Sequence, residues 1–305
     1  MRNRPVSMRL GLGFILALHL ATVPAGCRLP GRQGPISHAL VNSRQLSQQG
    51  VAAIERGRWD QAEPLLAKAV EECPFDPDAR RHYAEVLWRA GQGREAVSQL
   101  EEAIRLSPDD ARLHVLLAEK QLAMGHAELA RQTANHAIDL EPTLADAWAV
   151  RGRVLRASGR LRQALADSHR ALGLAPADQT IQFEIAELHY ELNQPRRALA
   201  ALQSLADTYP SGEEPQHVLY LQGVAHSALR RWDDAVESLS EASVRGRPSA
   251  EIFSELARAE LSAGRPREAA AAVREALLLD PDHVPSHALA EELQLASDSD
   301  PSLSR

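Results

Sequence analysis

The stretch Gly91–Pro108, GQGREAVSQLEEAIRLSP, decides the fold. It opens on a glycine and closes on a proline. Between them Ala96, Val97, Leu100, Ala103 and Ile104 recur at the helical period, so one face of a helix is apolar and the other is not. The same punctuation returns up and down the chain. Pro74, Pro108, Pro142, Pro176 and Pro210 stand at one fixed stride of 34 residues. At a constant distance before each proline comes an alanine, at Ala62, Ala96, Ala130, Ala164 and Ala198. A second small column holds Ala69, Ala103, Ala137 and Ala171, with Leu205 in the fifth copy. A turn column holds Gly57, Gly91, Gly125 and Gly159, then Asn193.

An insertion around Ser211–Pro215 shifts the ladder, which then resumes with Ala235 and Ala269 in the first alanine column and Ala242 and Ala276 in the second. Gly264 and Pro281 close the last copy. The copy between them is irregular: Arg230 stands where the turn glycine belongs and Pro248 falls late. Each column has a mechanical reason. Glycine or asparagine ends the first helix of a pair in a left-handed conformation that other residues adopt at a cost. Small side chains let two helices cross closely, and proline stops the second helix. A fixed repeat of this length predicts helical hairpins stacked in a row, each burying its apolar face only against its neighbours.

These columns resemble the tetratricopeptide repeat, and the resemblance covers residues 43–283 as seven units. It implies an all-α fold, a right-handed α-solenoid of about seven helical hairpins. Residues 284–296 read as a capping helix that shields the last apolar face, and residues 297–305, polar and serine-rich, as a disordered tail.

Composition agrees with helices of small side chains: apolar residues make up 44% and aromatics only 4% of the 305 residues. Of 34 basic residues only Lys68 and Lys120 are lysine, a bias we read as genomic base composition. The formal charge is −7, and residues 1–26 contribute three arginines and no acid, so the remainder stands at −10. An acidic body lacks the electrostatic footprint of a nucleic-acid binder. The two cysteines, Cys27 and Cys73, are too few for a disulfide framework.

Arg2, Arg4 and Arg9 precede the apolar run Leu10–Val23, which ends in Pro24-Ala25-Gly26-Cys27. A charged start, a short apolar core and small residues before a cleavage point describe a secretory signal. The ending resembles the lipobox of bacterial lipoproteins, with Cys27 as the lipidated residue, although Pro24 stands where that family prefers leucine. Cleavage after Ala25 and an uncleaved anchor are the alternatives. Arg28 after the cysteine resembles lipoproteins sent to the outer membrane and facing the periplasm. Residues 28–42, with Pro30, Gly31, Gly34 and Pro35, read as a flexible tether.

No reactive constellation is found. His283 and His287 are a helical turn apart without a third ligand, Gly91-Gln92-Gly93 follows no strand, and no serine lies in a GxSxG elbow. The expectation is a protein that is not an enzyme and carries no cofactor or metal. The resemblance places the first helix of each hairpin along a concave groove that binds proteins or peptides. The residues it maps there form two groups. Arg81, Glu85, Trp88, Arg89, Arg112, Glu119, Arg153 and Arg156 are one, in which arginines grip carboxylates or pair with Glu85 and Glu119 instead. Phe183, Glu187, Tyr190 and Tyr220 are the other, aromatics that either bind a partner or pack between helices. The lysine–asparagine clamp of chaperone-binding relatives is missing, since Glu85 stands where asparagine is expected. The functional expectation is a scaffold of the bacterial cell envelope. Self-association, or assembly of a pilus or secretion complex, is the alternative.

Overall fold

The computed structural model describes residues 35–299, with side chains from 38 to 294; the export segment and Cys27 lie outside the described residues, as do residues 300–305. Fifteen helices and no strand occur among the described residues. They form seven hairpins: α1 (Pro35–Glu55) with α2 (Trp59–Glu72), α3 (Pro77–Arg89) with α4 (Gly93–Leu106), and α5 (Ala111–Ala123) with α6 (Ala127–Leu140). The fourth and fifth are α7 (Ala145–Ala157) with α8 (Leu161–Leu174) and α9 (Gln179–Glu191) with α10 (Pro195–Ala206). Then come α11 (Gln216–Ala228) with α12 (Trp232–Val244), and α13 (Ala250–Ser262) with α14 (Pro266–Leu279). The single helix α15 (Val284–Ser299) follows.

The alanine columns are the deepest layer of the core. Ala62, Ala96, Ala130, Ala164, Ala198, Ala235 and Ala269 have no exposed surface, and neither do Ala69, Ala103, Ala137, Ala171, Leu205, Ala242 and Ala276. A third small column lies in the first helices, at Gly50, Ala84, Ala118, Gly152, Ala186, Gly223 and Ala257. A Cβ on Gly50 would sit 2.6 Å from Leu66 Cγ, and one on Gly223 would overlap Leu239. The partner helix therefore lies against bare backbone at these positions, and any added methyl would push it away.

The turns obey the same logic. Gly57, Gly91, Gly125, Gly159 and Gly264 all adopt positive φ, between 70° and 82°. Asn193 takes the same conformation at 56°, which asparagine tolerates, and Arg230 at 58°, which arginine does not share cheaply. Aspartates start three of the first helices: Asp76, Asp110 and Asp178 each accept from backbone N–H groups of the following turn.

Neighbouring first helices touch each other, as α1 with α3, α5 with α7 and α13 with α15. No pair of second helices comes comparably close. The first helices thus make the shorter, inner layer of the stack. The insertion does not break it. Leu202 and Leu205 of α10 share one apolar cluster with Val218 and Leu221 of α11, and Arg245, just after α12, pins the inserted loop by donating to the Glu214 carbonyl at 3.4 Å.

Two boundaries differ from the sequence expectation. Helix α1 starts at Pro35, so residues 35–42 belong to the first hairpin and not to a tether. Proline suits the first turn of a helix, where its missing N–H has no partner to lose. The half-buried Leu40 and the buried Ser43, Ser47 and Gly50 continue an inward stripe whose small polar members disguise its period. At the other end α15 runs to Ser299, so residues 297–299 are helical where a tail was expected.

Two substitutions test the columns. Ala130→Trp forces apart a crossing with no free space and is expected to cost about 3 kcal/mol or more. Arg230→Gly relieves the left-handed arginine and is expected to stabilise by about 1 kcal/mol. Midpoints of urea unfolding, followed by circular dichroism, check both; a harmless Ala130→Trp would refute the crossing.

Candidate functional site: the inner wall of the stack

The inner wall is built from side chains that the alanine columns leave pointing away from the core. At its N-terminal part Arg81 lies 3.6 Å from Asp78 within its own helix and donates to His82 Nε2 at 2.7 Å. Arg81 and Arg112 line a cleft of about 340 Å³ together with Asp78, Asp110, Asp146, Val115 and Leu116. Glu85 is exposed. The Trp88 ring is half-buried against Gly93, and the Lys120 ammonium sits 5.1 Å from its centre. Arg89 reaches back to the first hairpin, where its guanidinium lies 4.5 Å above Trp59.

The remaining arginines are engaged by carboxylates of adjacent hairpins. Arg153 on α7 donates to Glu119 on α5 at 3.2 Å and lies 3.4 Å from Glu184 on α9. Arg156, one turn on, pairs with Glu187 at 2.7 Å and with Glu191. Burial works against the Arg156 guanidinium, yet the two carboxylates hold it above its ordinary value. The arginines expected as one patch around Trp88 therefore fall in three places: Arg81 and Arg112 open to a cleft, Arg89 over Trp59, and Arg153 and Arg156 closed into an inter-hairpin seam.

The aromatic group divides in a similar way. Phe183 packs in the α9–α11 core cluster and meets His217 edge-on, ring centres 4.5 Å apart. Tyr190 lies half-buried at the edge of the same cluster. Tyr220 packs against the Leu219 and Ile252 cluster, and its hydroxyl donates to Glu251 on α13 at 3.4 Å. Burial, with Glu251 and Glu255 close by, pushes the Tyr220 phenol up; burial and Glu255 do the same to Tyr190. Glu255 is itself pushed up by burial despite Arg258 at 3.0 Å.

Sequence reasoning missed Lys120, Glu184, Glu251 and Glu255. The seam carried a readable signal: Glu119, Arg153 and Glu187 occupy the same place in successive hairpins, so an arginine stands on a first helix flanked on either side by first helices with a glutamate at that place. Glu251 and Glu255 belong to the seventh hairpin, and Glu184 lies off the faces taken as the groove. Among the described residues no group of three metal-ligating side chains is found. Cys73 is a buried free thiol.

Two measurements probe these electrostatics. The Arg156–Glu187 pair is only partly exposed, and a double-mutant cycle to alanine should give a coupling of about 0.5–1 kcal/mol that weakens with salt. Desolvation lowers His82, His169, His217 and His226, so the unfolded chain binds their protons more readily than the fold does. Stability from this source is present above the ordinary imidazole value of about 6.5 and is lost as pH falls through it. Burial raises Glu184 and Glu255, whose protonation acts in the opposite direction at lower pH. The melting temperature should fall between pH 7.5 and 5.5, and replacing His82 and His226 by glutamine should flatten that slope.

Two tetratricopeptide repeat family models match, one over residues 47–111 and 220–284, the other between them over 87–154 and 155–221. The repeat-containing protein YpiA of Bacillus subtilis (strain 168) is 23% identical over 240 residues, covering 79% of this chain. This chain spans 15% to 55% of the length of the curated relatives it matches first. A tetratricopeptide repeat protein from Parabacteroides merdae superposes over 83% of this chain and 99% of its own with a TM-score of 0.62 at 14% identity. PilW, described as a widely conserved type IV pilus biogenesis factor, superposes over 66% of this chain and 92% of its own, also with a TM-score of 0.62, at 17% identity. At such identities the likeness is one of fold. With its repeat columns buried and continuous family matches from residue 47 to 284, the chain belongs to the tetratricopeptide repeat family.

Proposed function

We propose that this chain is a non-catalytic scaffold that captures protein or peptide partners along its inner wall, and that it works at the bacterial cell envelope. The observation that carries the reading is the wall itself. Glu85, Arg112 and Asp146 are exposed on three consecutive first helices, and the core has no need of them. Arg81, Arg112 and Val115 surround a cleft wide enough for a side chain or a bend of peptide. Family membership supports protein binding as the mode of action, and the scarcity of reactive clusters fits a role without chemistry.

The envelope assignment rests on residues 1–27. Their charge order and the Ala25-Gly26-Cys27 ending support export, with Cys27 carrying lipid and Arg28 directing the protein to the outer membrane, facing the periplasm. Cleavage after Ala25 would instead leave a soluble periplasmic protein. The shared fold with a pilus biogenesis factor makes assembly of an envelope machine one form such scaffolding can take.

Self-association is a second reading, favoured by the C-terminal end of the stack. There Ala270, Val273, Leu277, Ala290 and Leu293 line an apolar cleft of about 350 Å³, with Leu278 and Val284 exposed nearby. Light scattering of the mature body separates the two readings, because a strict monomer removes the second.

Mass spectrometry of the mature N-terminus tests the location: a diacylglycerol thioether on Cys27 is expected, and an unmodified chain starting at Gly26 refutes lipidation. A photo-crosslinking residue in place of Arg112 should trap a partner that the same residue in place of Glu237, on the outer helix α12, does not. Equal yields at both positions would sink the inner-wall reading.

A further inference from the structure

The inner layer changes sign along its length. Helices α3, α5 and α7 carry eight basic and four acidic residues, whereas α9, α11 and α13 carry six acidic residues and one basic residue, Arg258. The change falls at the seam where Arg153 and Arg156 meet Glu184, Glu187 and Glu191. Aromatic rings differ across the same boundary. Trp59, Trp88 and Trp148 each carry cations of this chain on their faces: Arg89, Lys120, and Arg151 with Arg170. Beyond the seam Glu251 is bonded to the Tyr220 hydroxyl, with Glu255 one helical turn further along α13, and Tyr190 has Glu255 and that residue's partner Arg258 as its charged neighbours.

We infer that the C-terminal half of the inner wall takes a basic segment of a protein partner, with an arginine or lysine side chain seated on Tyr190 and Tyr220 beside Glu251 and Glu255. The inference rests on the inner-wall reading and adds the ligand's chemistry to it. A guanidinium or ammonium over a phenol face is attracted by the ring's quadrupole, and the attraction grows as the site is shielded from water. The half-buried rings supply the face, and the carboxylates supply the counter-charge. Arg258 already draws on Glu255, and the Tyr220 hydroxyl and His283, at 3.1 Å, on Glu251, so Glu255 has one partner, Glu251 has two, and both keep further lone pairs to offer. An acidic segment would meet like charge here and is disfavoured by the same geometry.

The test uses fluorescein-labelled hexa-arginine and hexa-glutamate peptides with the mature protein, read by anisotropy at physiological salt. Hexa-arginine is expected to bind and hexa-glutamate not to compete for the same site. The charge-neutral double variant Tyr190→Leu, Tyr220→Leu should weaken hexa-arginine about fivefold or more, and Glu251→Gln with Glu255→Gln by about the same factor. Tyr220→Phe keeps the ring and should retain most of the binding, which guards against misfolding as the explanation. Asp233→Asn with Asp234→Asn removes two charges from the outer helix α12 and should change little. Equal weakening by the inner and outer charge pairs would mean attraction to the acidic body as a whole, and would overturn the site; so would unaltered binding to the leucine double variant. A partner trapped at position 112 while hexa-arginine ignores Tyr190 and Tyr220 would leave the wall in use and this ligand assignment refuted.

Discussion

The structure depends on how closely two helices can pass. At Gly50 and Gly223 the second helix of the hairpin lies so near that a single methyl would collide with a leucine side chain, and the alanines of the two second-helix columns are sealed from water without exception. Helices that approach this closely bury a large share of their surface through backbone and Cβ atoms. Large side chains are then unnecessary in the core, which explains how a chain with 4% aromatics can still pack. The cost is intolerance, since close-packed interiors do not absorb added volume by small adjustments.

Because every hairpin touches only its neighbours, the stack has no single centre, and its cohesion is assembled junction by junction. The junctions are not alike. Between the fourth and fifth hairpins the apolar contact of Ala149 and Ala171 with Ile181 and Ile185 is reinforced on the inner side by the Arg153 and Arg156 seam. Between the fifth and sixth, the inserted loop is held by Arg245 at the Glu214 carbonyl and by Leu205 packing near Val218, so the extra residues are accommodated at the surface while the core continues underneath. The sixth hairpin tolerates Arg230 in a left-handed turn for the same reason: the columns on either side, Gly223, Ala235 and Ala242, fix its geometry regardless of what the turn residue prefers.

Legibility in the sequence followed the rigidity of each requirement. Positions that accept only small side chains, or only a left-handed turn, repeat at a constant stride, and the hairpins they define could be placed without coordinates. The start of α1 could not, because its buried stripe runs through Ser43, Ser47 and Gly50, which do not register as apolar, and because Pro35 reads as a breaker although it suits a helix start. The site was legible only as a surface. Arg153 could be placed on the inner wall, but not its choice between a ligand and Glu119, since that depends on how far apart two helices of different hairpins lie. Trp88 was expected in the groove, yet Lys120, on the next first helix, takes its ring face, a contact that no spacing within one helix announces.

That last contact bears on how such a wall acquires specificity. A groove lined at random with arginine, glutamate and aromatic residues would largely satisfy itself, as the N-terminal half does: Trp88 holds Lys120, Trp59 holds Arg89, and the seam arginines hold glutamates. Internal satisfaction stiffens the wall but leaves less unspent attraction for a ligand, because each pair formed within the chain must be broken or bypassed before a partner can use it. Recognition then concentrates where the chain's own complement runs short. Beyond the seam α11 and α13 hold three acids against one arginine, and Tyr220 there lies next to a carboxylate. Substitutions in that region do not touch the alanine columns, so the identity of the partner can change while the solenoid that presents it stays the same.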